Sequence, residues 1–253
     1  MKQSILSAKD LCKSFAHNGG QLHIISNVDL DIYEGDFTVI MGASGSGKST
    51  LLYSLSGMDR ATKGQVLYGD TDLVTTSENT LAKLRHTDFG FIFQQMHLVS
   101  NLSLFENVAV CGYLNKSVPA TEVKKRTNEL LEKMGISHIK THLPSQVSGG
   151  EQQRLAIARA VVNKPKLLFA DEPTGALNRS NTIEVLNLLT ELNHEGQSIL
   201  MVTHDIRAAL RACRVLYLED GKITGELSLP PYNREEEQSR EVQVNAWLSS
   251  MEW

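Results

Sequence analysis

The stretch Gly42-Ala43-Ser44-Gly45-Ser46-Gly47-Lys48-Ser49-Thr50 gathers an ammonium, several hydroxyls and three spaced glycines in one short loop. That combination suits a polyphosphate. Glycines turn the backbone tightly enough for successive N–H groups to converge on an anion, and a helix starting at once adds its orphan donors and dipole. Lys48 contributes a point charge, Ser49 a hydroxyl for a Mg2+ bridging the terminal phosphates, and Thr50 a donor to a nearer phosphate. The motif needs a buried strand before it and a helix after it. Asp36-Phe-Thr-Val-Ile-Met41 reads as that strand, and Leu51, Leu52 and Leu55 share one helix face.

Four other places carry residues able to work on such a ligand. Lys166-Leu-Leu-Phe-Ala170 is a short apolar strand ending in Asp171-Glu172-Pro173-Thr174, and carboxylates there lie at the rim where parallel sheets bind ligands. Asp171 suits Mg2+, directly or through a water, and Glu172 is placed to take a proton from an attacking water. Ser198-Ile-Leu-Met-Val202 leads to Thr203-His204-Asp205, where His204 is either a structural histidine or a hydrogen-bond partner of a phosphate or the attacking water. Phe89-Gly-Phe-Ile-Phe93 ends at Gln94-Gln95; the Gln94 amide coordinates a metal, orients a water, or simply starts a loop. Ser148-Gly149-Gly150-Glu151-Gln-Gln-Arg154 opens a helix carrying Leu155, Ile157, Ala158, Val161 and Val162. This is a second anion-binding helix start or, taken alone, an N-cap before an amphipathic helix.

The elements that position these groups follow from periodicity. Val28, Leu30 and Ile32 alternate with Asn27, Asp29 and Asp31, the mark of a strand with one wet face, and Glu34-Gly35-Asp36 turns into the loop strand. Lys13-Ser14-Phe15 ends another short strand before the polar turn His17-Asn-Gly-Gly20, and antiparallel pairing is expected. Phe15 there is either a core side chain or a ring that stacks on a base. Gln65-Val-Leu-Tyr68 with Gly69-Asp70 reads as a strand and turn. From Val118 to Gly135 the pattern is helical, with Val123, Leu130, Leu131 and Met134 on one face and the solvated run Lys124-Lys-Arg126 on another. The segment from Gln94 to Pro144 is therefore a helical insertion. A further amphipathic helix runs through Ile183, Leu186, Leu189 and Leu192.

Composition narrows the class. The 253 residues carry a net charge of -4, which gives no electrostatic footprint for nucleic acid. Cys12, Cys111 and Cys213 form no C-x-x-C pair and read as reduced thiols. No stretch approaches the roughly 18 apolar residues of a membrane span, and Met1-Lys-Gln-Ser-Ile-Leu-Ser lacks a signal-peptide run, so membrane association is expected through a partner.

Taken in order, the Lys48 loop, Gln94, the Ser148 to Arg154 signature, Asp171-Glu172, the Gly175 to Asn178 loop and His204 resemble the nucleotide-binding subunit of an ABC transporter. Met41 to Thr50, Gly90 to Gln94 and Asn101 to Asn107 are similar to the macrolide-export, lipoprotein-release and antimicrobial-peptide-detoxification subgroup. The resemblance implies an α/β fold: a P-loop NTPase (RecA-like) core with an antiparallel β subdomain, residues 1–93 and 164–228, an inserted helical subdomain, 94–163, and a tail, 229–253. It implies ATP and Mg2+ as cofactors, with Ser49, Gln94 and Asp171 toward the metal, Glu172 as general base, His204 on the γ-phosphate and Phe15 stacked on adenine. The resemblance also implies that Gln94 reports to the membrane subunit. Residues Gly42 to Thr50 of one copy and Ser148, Gly149, Gly150 and Glu151 of another close on the same nucleotide.

The implied partners are a second copy of the chain, paired when ATP is bound, and an integral membrane permease that holds the cytoplasmic subunit at the inner face of the cell membrane. Asn178 stands where the family usually has aspartate, which implies altered coupling between the two sites. The alternative is a soluble, non-transport ABC ATPase or a regulatory module without useful hydrolysis. Against the first, no long coiled coil separates Lys48 from Ser148, and there is one cassette. Beyond Pro230-Pro231, Val244, Trp247, Leu248, Met251 and Trp253 form an apolar stripe that either docks on its own domain or meets a partner.

Overall fold

The computed structural model describes residues 2–17, 19–251 and 253. In chain order the first elements are strands β1 (Ser4–His17), β2 (Gly20–Tyr33) and β3 (Phe37–Met41), then helix α1 (Lys48–Leu55). Strands β4 (Lys63–Tyr68) and β5 (Thr71–Asp72), helix α2 (Glu78–Thr87) and strand β6 (Phe89–Ile92) follow. Helices α3 (Leu104–Leu114), α4 (Ala120–Lys133) and α5 (Gly149–Val161) precede strand β7 (Leu167–Asp171) and helix α6 (Arg179–His194). The chain closes with β8 (Ser198–Val202), α7 (Ile206–Ala209), β9 (Arg214–Glu219), β10 (Lys222–Ser228) and α8 (Glu237–Ser250). Two compact units result, Met1–Leu81 with Asn193–Trp253, and Ala82–Leu192.

In the first unit β1 and β2 pair antiparallel from Ser4↔Tyr33 to His17↔Gly20. The alternation expected for β2 holds: Val28, Leu30 and Ile32 are buried while Asn27 and Asp29 are exposed. β1 is far longer than a short strand ending at Phe15, because irregularities let one ribbon bend without breaking. Asp10 and Asn27 take left-handed backbone there, where the register shifts. Asn18, in the expected turn, lies outside the described residues. β4 joins the far side of β1, giving the order β2-β1-β4-β5.

The second sheet of this unit is built on β3, every residue of which is buried. β8 and β9 flank it in parallel, and β10 closes the β9 edge antiparallel. A strand covered on both faces needs a continuous apolar run, which is what Phe37 to Met41 supplies. The tail docks on its own unit: Val244 and Leu248 of α8 are fully buried. A Cβ placed on Gly225 of β10 would meet Met251 Sδ at 2.5 Å and Trp247 Cζ2 at 3.2 Å. Trp253 stands edge-on to Tyr217 with ring centroids 6.0 Å apart.

In the second unit β6 and β7 pair in parallel, Ile92 opposite Ala170. Aromatic rings fix the pair: Phe169 meets Phe89 edge-on at 5.3 Å and stacks on Phe91 at 5.4 Å. On α4, Val123, Thr127 and Leu131 face inward and Lys124 and Lys125 are exposed. Leu130 is only half-buried, its expected place on the inner face being taken by Thr127. α5 buries Leu155 to Ala158 on more than one side, as a helix between other elements must. The observed architecture is the α/β fold with an antiparallel β subdomain that the sequence implied. No helix among the described residues is long and apolar enough to cross a membrane.

Candidate active site

In the first unit the phosphate loop leaves the carboxyl end of β3, and the next strand over, β8, leads to His204. Ile40 pairs with Val202, and Thr203 N–H donates to Ile40 O at 3.1 Å, so Gly42 and His204 leave neighbouring parallel strands at the same rim. His204 is exposed there. The loop is close-packed on its inner side. A Cβ on Gly42 would fall 2.2 Å from Leu218 O and 2.8 Å from Ser46 Oγ, and one on Gly47 would fall 2.9 Å from Ile25 Cδ1. Gly45, by contrast, faces open space. Ala43, Ser44 and Gly45 are exposed, while Ser49 and Thr50 are half-buried.

Gly47 is the N-cap of α1, with φ of 101° in the left-handed region. No side chain caps the helix and no acid occupies its first turn. The positive end of the helix is therefore left to whatever anion the loop surrounds. Lys48 is buried, and its Nζ donates to Gly42 O at 2.8 Å and Ala43 O at 2.9 Å, which tethers the ammonium across the loop. Ser46 Oγ is buried without a hydrogen-bond partner. An orphaned hydroxyl, an uncapped helix and a tethered ammonium fit a polyphosphate.

In the second unit, pairing of β6 with β7 brings Gln94 and Asp171-Glu172 to one rim. Asp171 ends β7 and is 7% exposed. Glu172 takes φ of 43°, a left-handed conformation that costs a non-glycine residue about 1–2 kcal/mol. Such strain is kept where a side chain has to be aimed. Gly175 N–H then donates to Glu172 O at 3.0 Å, and a Cβ on Gly175 would lie 2.9 Å from Gln94 Nε2. Gln94 therefore packs on the loop that follows the acidic pair.

Ser148 and Gly149 are exposed at the start of α5, whereas Gly150 is buried. Ser148 and Glu151 form a capping box: Glu151 Oε2 accepts from Ser148 N–H at 2.7 Å and from Ser148 Oγ at 2.6 Å. These two donors hold the Glu151 carboxyl below its ordinary range. The N-cap reading of this segment is the one the hydrogen bonds show.

Several placements differ from a reading of isolated residues. Phe15 is not a core side chain: it is 42% exposed on the hairpin, opposite exposed Leu22, with Lys13 Nζ 4.8 Å from the ring centroid. An exposed, cation-flanked ring is free to stack. Asn178 caps α6, its Oδ1 accepting from Asn181 N–H at 3.0 Å. Arg159 escapes sequence reasoning altogether. From α5 it donates to Met96 O at 2.6 Å and His97 O at 2.7 Å, holding the segment after Gln94. Cys111 and Cys213 have thiols pushed up by burial, which makes them poor nucleophiles.

Residues 25–175 match the family model described as ABC transporter. The chain is 35% identical to the ATP-binding cassette MJ0796 in a dimeric post-hydrolysis state bound to ADP and Pi, over 90% of this chain and 100% of that one, with a TM-score of 0.82. A second dimeric structure of MJ0796, described as a bacterial ABC transporter cassette, gives 36% identity over the same shares and a TM-score of 0.83. The cbiO1 protein of Clostridium perfringens, part of the ABC transporter complex cbiONQ, is 30% identical over 99% of this chain and 98% of that one, with a TM-score of 0.80. The chain belongs to the ABC transporter family, as an ATP-binding cassette with the ABC ATPase fold. Binding and hydrolysis of ATP come with that membership.

Proposed function

We propose that this cassette energises an integral membrane permease by closing head to tail on a second copy of itself around ATP, at the cytoplasmic face of the membrane. The observation that carries the reading is the pair of helix starts, an uncapped one at Lys48 and an exposed one at Gly149, of which one alone bears a lysine. Two half-sites of unequal chemistry in one chain make two whole sites in an antiparallel pair. MJ0796, a third identical to this chain, is dimeric in both of its structures. The permease partner rests on cbiO1, which belongs to a transporter complex.

Bound ATP supplies the anhydride bond that is broken, and Mg2+ spreads the charge that develops. The chain's own residues do the remainder. The Gly42 to Gly47 amides and Lys48 orient the phosphates, and Ser49, Asp171 and Gln94 offer oxygens to Mg2+. Among the described residues no group of three or more His, Cys, Asp or Glu side chains forms a metal cage. Mg2+ is commonly held through one or two carboxylates together with phosphate and water, and Asp171 would supply one such carboxylate. Glu172 accepts the proton of the attacking water, His204 steadies the terminal phosphate, and Phe15 stacks on the base. Ser148, Gly149 and Gly150 of the partner copy close the far side. Closed and open pairs then differ in affinity for ATP, and that difference moves the permease.

The resemblance of the motifs around Gly42, Gly90 and Asn101 supports a cargo among antimicrobial peptides, drugs or lipoproteins. A turnover assay on Glu172→Gln beside the parent tests the enzymatic half. Phosphate release is expected to fall by about 100-fold or more, the usual worth of a general base, with ATP binding retained. Equal, negligible rates for both proteins would replace the enzyme by a regulatory nucleotide-binding module.

A further inference from the structure

The two glycines of the signature stand in different surroundings. A Cβ on Gly149 would meet nothing within 4 Å. A Cβ on Gly150 would fall 2.5 Å from Asn181 Cγ and 2.6 Å from both Nδ2 and Oδ1. Three atoms of one amide at nearly one distance mean that the amide lies face-on over Gly150. A side chain at residue 150 would oblige the Asn181 amide to leave this position. The contact joins the first turn of α5 to the first turn of α6.

Asn181 is itself anchored at its backbone. Its N–H donates to Asn178 Oδ1, and Asn178 O accepts from Thr182 N–H at 2.9 Å and Thr182 Oγ1 at 3.0 Å. Along the same face of α6, Glu184 Oε2 accepts from Arg154 Nη1 at 2.6 Å, while Arg154 Nε donates to Met134 O at 3.1 Å. Further on the helices part around a cleft of about 350 Å3 lined by Lys133, Arg154, Glu184 and Leu188. The Gly150–Asn181 contact lies beside both Ser148 and Asn178. Asn181 connects those two: through its N–H to the end of the Gly175 to Asn178 loop, and through its amide to the signature.

We propose that Asn181 is a positioning residue that sets the signature serine and the Gly175 to Asn178 loop as one rigid piece, so that both reach the facing nucleotide in register. Gly150 then has two roles, its N–H toward phosphate and its bare Cα toward Asn181. The inference rests on the head-to-tail reading above, since only a facing nucleotide would need both segments at once.

The test is a double-mutant cycle in a Glu172→Gln background, reading by light scattering the Mg-ATP concentration at which half the protein pairs. Gly150→Ala should raise it about 10-fold, within the coupling range of touching residues, and Asn181→Ala by less. The Gly150→Ala/Asn181→Ala pair should recover most of the Gly150→Ala loss, because the added methyl then enters the space the amide vacates. Affinity of the unpaired chain for ATP should stay unchanged throughout, which a general loss of structure would not allow. Additive losses would overturn the proposal. Should the Glu172→Gln parent itself fail to pair, the head-to-tail reading falls, and amide hydrogen exchange decides the positioning role separately. In Asn181→Ala, faster exchange at residues 148–152 together with 178–182 supports it, and unchanged exchange at 148–152 refutes it.

Discussion

The helix starts at Lys48 and at Gly149, both proposed to face phosphate, have opposite constructions. α1 begins on a left-handed glycine, with no side-chain cap and no acid in its first turn, and a lysine is tethered beside it. α5 begins on a serine locked into a capping box with Glu151, so its first turn already carries an anion of its own. One terminus is preset for an outside anion, and the other is held by an internal stand-in. On the proposed head-to-tail reading, the difference implies an order of events in which nucleotide settles first on the Lys48 loop and the Ser148 surface engages second, once its hydroxyl turns away from Glu151. Electrostatics makes the second step the weaker one.

The largest expected effect breaks the strong side of this comparison. Lys48→Ala should cut phosphate release by at least about 100-fold, the cost of removing a preset charge from a transferring phosphoryl group. A residual rate within a few-fold of the parent would mean that the loop is not the phosphate site. A smaller effect sharpens the weak side. Glu151→Gln removes the internal anion but keeps a side chain able to cap, so the Mg-ATP concentration for half-pairing should fall roughly 2- to 5-fold, the worth of one charge at a helix N-terminus. Affinity of the single chain for ATP should not change. If pairing instead weakens, the carboxylate is a support of the closed state and not a stand-in.

The smallest effect is one of pH. Glu151 has its folded-state carboxyl pulled below the ordinary value by the Ser148 donors, so its contribution is fully present above the unfolded value. It is lost only as pH falls through the depressed folded value. The difference in melting temperature between the parent and Glu151→Gln should therefore be flat from neutral to mildly acidic solution and shrink only at more acidic pH. A difference that disappears near neutrality would show that the box is not formed in solution.

Much of this architecture was legible because it is local. β3, β7 and β8 are short apolar runs that end in chemistry, and a buried parallel strand has no other way to read. Ser148 reads as an N-cap from its neighbours alone, while the Glu151 half of its capping box shows only in the structure. Other features depend on partners remote in sequence. α2 buries only Leu81 and so displays no stripe. β10 alternates exposed and half-buried positions, and its pairing with β9 and the covering by Met251 and Trp247 are invisible in composition. Phe15 by type belongs in a core, yet the hairpin register sets it opposite Leu22 in solvent. Nothing in the spelling of Gly150 says that an asparagine from α6 lies over it.

The account depends most directly on whether two copies share the nucleotide. Sedimentation of Glu172→Gln saturated with Mg-ATP, alone and with the proposed permease, measures that. A species of twice the chain mass that reverts when Mg2+ is chelated is the predicted result. A single-chain species under both conditions would contradict it.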